Sequence, residues 1–249
     1  MILSLHPQIN RDHVVEAVAG AVWTHRSRYI LRLNQSDNMG VRNIAPSLMI
    51  ILGKDQDAYD FMKWHGTAGQ DSHYDWGDMS LPFLDLHGEG AFEALAEGDW
   101  TDEYADLAHQ AALTLIKFRL LLDLYSLQSS MREVTEQLPQ ELVDNIRKHL
   151  ISDIVAGHAG LMQDVRDGVF IKAYIENIES QMNAMFDVIH KANKHFWPAM
   201  VNPGSHLTAR PEYTGQGSVM EMQVELQNAY PAWKQTPGAI DWIEAKLGS

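Results

Sequence analysis

Along most of this chain apolar positions recur every three or four residues, the spacing of one helix face rather than the alternation of a strand. The clearest case runs from Phe170 to Lys194, where Ile171, Ile175, Ile178, Met182, Met185 and Ile189 form one stripe. Arg11 to Gln35 reads as a long amphipathic helix opened by Asn10, a good N-cap residue. Asp37 or Asn38 then caps a helix through Leu52, staged by Pro46 and closed by Gly53. A third helix is predicted over Asp55 to His65, ending at Gly66. Thr101 to Gln128 places Asp102, Glu103 and Asp106 where carboxylates complement a helix dipole. Its middle, Leu113 to Leu127, is apolar nearly all round, which predicts the central buried helix.

The C-terminal half is well punctuated. Pro139 stands at a first-turn position and introduces a helix to about Ile151. Ser218 and Glu221 form a capping-box pattern before a helix to Tyr230. Thr236 and Pro237 open a last helix that Gly248 closes. No stretch alternates like a strand and no hairpin signal is present. The expectation is an all-α fold, an irregular multi-helix bundle or stacked antiparallel helical hairpins with two long ordered loops. Neither a fixed repeat nor a Pro/Ser-rich linker divides residues 1–249, so a single all-helical domain is expected.

Composition narrows the function classes. The 249 residues include no cysteine, which excludes disulfides, thiolate zinc fingers, iron–sulfur clusters and a cysteine nucleophile. With 19 basic against 33 acidic side chains the formal charge is −14, which argues against a nucleic-acid partner. Met1 to Pro7 carries no secretory pattern, and the greasiest run, Leu113 to Leu127, is broken by Lys117, Arg119 and Asp123. The chain therefore reads as a cytoplasmic protein without a membrane partner. Its oligomeric state is open between a monomer and a homo-oligomer.

Two segments are too long and too rich in chemistry to be plain connectors. Gly66 to Gly90 holds His73, Asp75, Asp78, Asp85, His87, Tyr74 and Trp76; Phe196 to Gly217 holds Trp197, His206, Arg210, Glu212 and Tyr213. Acid–base catalysis needs a group titrating near neutrality beside a charge-stabilising donor. His73 near Asp75 or Asp78, or His206 near Arg210 and Glu212, supplies that combination; hydrogen bonding that merely shapes the loops is the competing explanation. Arg42 is a third candidate, because a cation in a helix's first turn opposes the dipole. It calls for a partner, either a carboxylate from the Asp75–Asp85 stretch or an anionic ligand.

Other signals fail on context. Leu84 to Glu93 mimics a strand and a glycine-rich phosphate turn, but Glu93 replaces the third glycine and no βαβ unit surrounds it. Asp102-Glu103-Tyr104-Ala105-Asp106 is only loosely like the magnesium motif of terpene cyclases, whose second signature is missing. Twelve histidines invite a metal, yet there is no HExxH and no histidine pair at spacing two or four. His65, His73, Asp75 and Asp78 are the one set weighed as ligands, and no metal or cofactor is expected. Neither GxSxG nor SxxK occurs.

Several motifs together resemble a group of fungal proteins described as MYND-finger-like. They are Ser36-Asp37-Asn38-Met39-Gly40-Val41-Arg42-Asn43-Ile44, the run from Leu52 to Phe61, Tyr74-Asp75-Trp76-Gly77-Asp78-Met79, Asn193-Lys194-His195-Phe196-Trp197-Pro198, Leu207-Thr208-Ala209-Arg210-Pro211 and Thr236-Pro237-Gly238-Ala239-Ile240-Asp241. The resemblance spans about Trp23 to Ile243 and implies a fungal origin and a helical fold. It carries no activity with it. The cysteines on which a MYND finger is built are absent, so it concerns the helical region alone.

Two functions follow as expectations. The first is a cofactor-independent acid–base enzyme acting on a small organic molecule by cyclisation, isomerisation or elimination, for which fungal specialised metabolism is a natural setting. His73 or His206 would be its base, Asp75 or Asp78 the orienting group and Arg42 or Arg210 the anion stabiliser. Trp76, Trp197 and Tyr213 would form an apolar wall, with Glu212 beside them. The second is a non-catalytic helical protein–protein interaction module.

Overall fold

The computed structural model describes residues 31–32, 34–37, 40–95, 100–132, 139–169 and 171–248. Among them there is no strand, and ten α-helices account for most of the chain. The fold is all-α. Most of the helix expected over Arg11 to Gln35 lies outside the described residues, as do Asn38 and Phe170; Leu31 and Arg32 are helical, and Leu31 is fully buried.

Helix α1 spans Val41–Ile51 and α2 spans Asp55–Gly66. Asp37 opens α1: its carboxylate accepts the amides of Val41 (2.9 Å) and Arg42 (2.8 Å), with Gly40 turned to φ +69° between them. Pro46 lies inside α1 and has no amide to give the carbonyl four residues back, that of Arg42. This vacancy shapes the site described below. Beyond a 3₁₀ turn at Ala68–Gln70 comes the irregular segment to Trp100, then α3, Leu107–Arg132.

α3 is the expected central helix, and every described side chain from Leu107 to Leu124 except Leu122 is buried. It starts later than the acidic cluster predicts. Asp106 is the residue that reaches the helix amides, accepting from Ala108 and His109, while Asp102 closes a separate turn onto the amide of Tyr104. α4 (Gln140–Arg147) stops short of Ile151 because the Asp123 carboxylate takes the amides of Ile151 and Ser152, both at 2.8 Å. Two short helices follow, α5 (Asp153–Gly157) and α6 (Ala159–Arg166).

α7 (Lys172–Ala192) lays its predicted stripe against α3, the most extensive helix pairing in the fold. Ile175, Ile178, Met182, Met185 and Ile189 are all buried. The second loop proves partly helical: α8 covers Phe196–Val201 and a 3₁₀ helix covers Gly204–Thr208. Pro198 does not prevent this, since the first turn of a helix needs no amide at that place. α9 (Val219–Gln235) opens on the predicted capping box. Ser218 Oγ accepts the Glu221 amide at 3.1 Å, and Glu221 reaches back to the amide of Gly217 at 2.8 Å. α9 runs past Tyr230, and α10 (Ala239–Leu247) completes the fold.

One continuous cluster of buried apolar side chains extends from Leu31 to Ile243. Within it a buried lysine ties the first loop down: Lys117 Nζ donates to the carbonyl of Ala91 at 2.5 Å and lies over the Tyr59 ring. Burial pushes its amine down to about 7. Among the described residues no helix is long and apolar enough to cross a membrane.

Candidate functional site

Neither expected loop supplies a closed site by itself. In the first, Asp75 and Asp78 spend their carboxylates on local turns, onto the amides of Gly77 and Ser80 at 2.9 Å each. His73 has a side chain 91% exposed, with Asp71 and Ser72 at 3.3 Å from Nδ1 as its neighbours. Trp76 packs half-buried against Trp64 and Tyr74. In the second loop Trp197 is fully buried. Its indole donates to the Phe186 carbonyl at 3.0 Å and stacks on that ring, so it belongs to the core rather than to a pocket wall. His206 Nδ1 accepts from the Gln223 amide at 3.0 Å, while Arg210, Glu212 and Tyr213 are exposed. Among the described residues no hydrogen bond, ion pair or ring contact joins the two loops. His73→Ala should accordingly leave the urea-unfolding free energy within about 0.5 kcal/mol of the parent.

The glycine-rich decoy is also resolved. The amides of Gly88 and Glu89, which a phosphate turn would offer to a ligand, donate to the Asp60 carboxylate at 2.7 and 2.9 Å. The chain fills its own anion cradle.

Side chains do converge elsewhere. A cavity of about 180 Å³ lies where the first turn of α1, the end of α2 and the start of α3 meet. Arg42 comes from α1; His65, Gly66, Gly69 and Gln70 come from the end of α2 and the 3₁₀ turn. Trp100, Ala105, Asp106 and His109 come from the approach to α3. Phe61, one turn before His65, presents ring edges to both imidazoles, at 4.7 Å from His65 and 6.1 Å from His109. The two imidazoles are 5.8 Å apart, centre to centre.

Each histidine has a defined environment. His109 Nε2 lies 3.1 Å from the Arg42 carbonyl, the group that Pro46 leaves without a helical partner. A carbonyl only accepts, so His109 carries a proton on Nε2, which makes Nδ1 the acceptor nitrogen in the neutral form of the ring. Nδ1 has no partner among the described residues. His65 is 6% exposed, and its Nε2 is buried without any hydrogen-bond partner. Burial, then the neighbouring His109 and Arg42, push it down to about 3, so it stays neutral through the physiological range.

Charge at the rim is divided. No carboxylate among the described residues pairs with Arg42, although the sequence called for a partner; neither Asp75, Asp78 nor Asp85 reaches it. Asp106 lines the cavity but is engaged in capping α3, and its charge also bears on Glu225 of α9. Glu225 is 8% exposed and accepts from Asn43 (3.4 Å) and Asn228 (3.2 Å). Burial first, then Asp106, push its carboxyl up to about 7. Nowhere among the described residues do three His, Asp or Glu side chains gather in a metal-ligating arrangement.

Of the residues that line this cavity, the sequence singles out Arg42 and offers His65 only as a metal ligand; it does not point to His109 or to the placement of Asp106. The available signal was the pair Asp106 and His109 three apart at a helix start, read together with a proline that frees a carbonyl. A base oriented by a backbone acceptor, a neutral imidazole and an exposed cation around one small cavity can move a proton and offset the resulting negative charge. No protein-family model matches the chain, and comparison with curated proteins and with solved structures returns no match.

Proposed function

We propose that this protein is a cofactor-independent acid–base enzyme acting on a small organic molecule, with His109 as the base. The observation that carries the reading is the hydrogen bond from His109 Nε2 to the Arg42 carbonyl beside the cavity that His109 lines, which makes Nδ1 the basic nitrogen of the neutral ring. The proton would pass from a substrate carbon to Nδ1. The electron pair left behind moves onto a substrate oxygen facing Arg42, and return of the proton at another atom completes an isomerisation. His65, kept neutral by burial, does not compete for that proton. At about 180 Å³ the cavity is smaller than the roughly 300–1,000 Å³ of sites that take drug-sized ligands, so the substrate is a small metabolite.

The test does not require the substrate in advance. A catalyst that removes and returns a carbon-bound proton exchanges it with solvent deuterium. Small organic acids and carbonyl compounds incubated with the protein in D₂O should include at least one whose C–H signal disappears by NMR. His109→Phe should slow that exchange about a hundredfold or more. Equal exchange by the variant, or none in the wild-type protein across the panel, removes the enzyme reading.

A groove of about 410 Å³ between α3, α7 and α10, lined in part by Phe118, Leu121, Met182 and Trp242, favours the alternative of a helical interaction module. An inert exchange panel moves the balance to that reading.

A further inference from the structure

We infer that the run Gly88–Glu93 is a strap that closes over the junction of α2, α3 and α7, and that Lys117 couples its opening to pH. Among the described residues no backbone–backbone hydrogen bond joins this run to the rest of the chain; the Glu93 amide bonds within it, to the Gly90 carbonyl at 2.9 Å. Side chains from three helices hold it instead. The carbonyls of Glu89, Ala91, Phe92 and Glu93 accept in turn from Gln56 of α2 (3.0 Å), Lys117 of α3 (2.5 Å), and Asn177 (2.8 Å) and Gln181 (2.9 Å) of α7. Asp60 of α2 takes the amides of Gly88 and Glu89. An irregular segment tied by separate side chains opens without breaking a helix, which puts it at the low end of local stability. Just before it Leu84 is held at φ +51°, a strained conformation for a bulky side chain, and lifting the strap lets it relax.

Lys117 is the tether at the centre of the strap that can change its charge. The residue is 1% exposed, and its amine has one hydrogen-bond acceptor among the described residues, the Ala91 carbonyl, with the Tyr59 ring 5.6 Å away. An ammonium group has three N–H donors to satisfy and a charge to keep out of water, so the closed strap favours the neutral amine. Glu93 is already engaged: it accepts from Lys63 Nζ at 2.6 Å and from the Tyr59 hydroxyl at 2.5 Å. Burial, opposed by the charge of Glu93 and reinforced by that of Lys63, holds the amine down to about 7. In the open strap it meets water and titrates near 10.4. A base depressed by closure stabilises the closed state fully above its open value. That contribution is lost as pH falls toward 7, below which both states are protonated. The other charged or titratable groups around the strap are Asp60 on α2, Tyr174 on α7, Glu89 and His87 on the strap side, and His158 at the start of α6, whose ring meets Phe92 at 5.3 Å. An ordinary histidine titrates near 6.5 and a carboxylate lower, so the pH window itself separates Lys117 from them.

The test is hydrogen exchange of the wild-type protein between pH 5.5 and 8.5, read by NMR at the Gly88, Glu89 and Glu93 amides and corrected for the intrinsic pH dependence of exchange. The opening constant should rise about five- to tenfold from pH 8.5 to 7.5 and less than about twofold from pH 6.5 to 5.5, while buried amides of α3 and α7 do not follow. Lys117→Met, which fills similar space without a charge, should flatten the upper step. His87→Gln combined with His158→Asn, which keeps a capping side chain at the start of α6, should retain it. An upper step that is absent in the wild type, persists in Lys117→Met, disappears in the histidine variant or is shared by the core amides would overturn the inference. Should Lys117→Met fail to fold, the wild-type step and the histidine variant decide by themselves.

Discussion

Arg119→Met is expected to destabilise the protein by about 3–5 kcal/mol, a large share of the roughly 5–15 kcal/mol that holds a typical domain folded. Asp55, the first residue of α2, is fully buried, and Arg119 Nε donates to its Oδ2 at 2.8 Å. The same guanidinium donates to the Ile151 carbonyl at 2.9 Å and to Thr236 Oγ1 at 3.5 Å, joining α2, α3, the start of α5 and the α9–α10 turn. Burial already pushes the Asp55 carboxyl upward against the opposing pull of Arg119. Without Arg119 it must stay charged in an apolar surrounding or take up a proton, and either alternative costs folding energy. The double variant Asp55→Leu with Arg119→Met removes both charges and should recover more than half of the loss, because apolar replacement of a buried pair is often neutral. Urea unfolding of the two variants beside the wild type decides the matter. A single-variant loss under about 1 kcal/mol would show that the pair holds nothing in place.

How far the sequence reveals this molecule depends on whether the relevant contact is local. The α7 stripe is legible because each apolar side chain lies one turn from the next, and the helix packs along that stripe onto α3. Ser218 and Glu221 are legible for the same reason, since a capping box closes within four residues. The start of α3 is not. Asp102, Glu103 and Asp106 all look like first-turn acids, and only the three-dimensional path of the turn selects Asp106. α8 is hidden by Pro198, which marks a break in a pattern yet is tolerated in a first turn.

The cavity is less legible still. His65 and His109 sit on different helices and meet only because α2 packs on α3, with Phe61 packed edge-on beside both rings. The orientation of His109 depends on a carbonyl freed by a proline on a third helix. Arg42 was visible as an anomaly because the helix-dipole argument is local. The aromatic and acidic residues of the loops drew attention by their density, but density does not distinguish Asx turns and a core tryptophan from a site. Asp75, Asp78 and Trp197 illustrate the difference.

Glu225→Gln is expected to stabilise the protein at pH 8 by on the order of 3 kcal/mol and to leave it nearly unchanged at pH 4. The folded-state carboxyl is pushed up to about 7, by burial first and then by the charge of Asp106, with Glu221 adding to it and the Asn43 and Asn228 amides opposing it. In the unfolded chain an ordinary glutamate titrates near 4.3. A group raised on folding contributes stability that is fully present below its unfolded value and is lost as pH rises through its folded one. Wild-type stability should therefore fall from this group alone between roughly pH 4 and pH 7. Glutamine cannot ionise, so the variant escapes that fall; Asn43 donates to Oε1 and Asn228 to Oε2, and glutamine keeps one of these two long hydrogen bonds. Asp123, raised to about 6, acts in the same direction in both proteins and cancels in the difference. His65, depressed to about 3, acts oppositely: its contribution is present above about 6.5 and is lost as pH falls toward 3, and it cancels too. Urea melts of both proteins at pH 4, 6 and 8 give the difference directly. A difference that does not change with pH would mean that Glu225 is ionised in the folded chain throughout, and that Asp106 is shielded from α9 by its capping role alone.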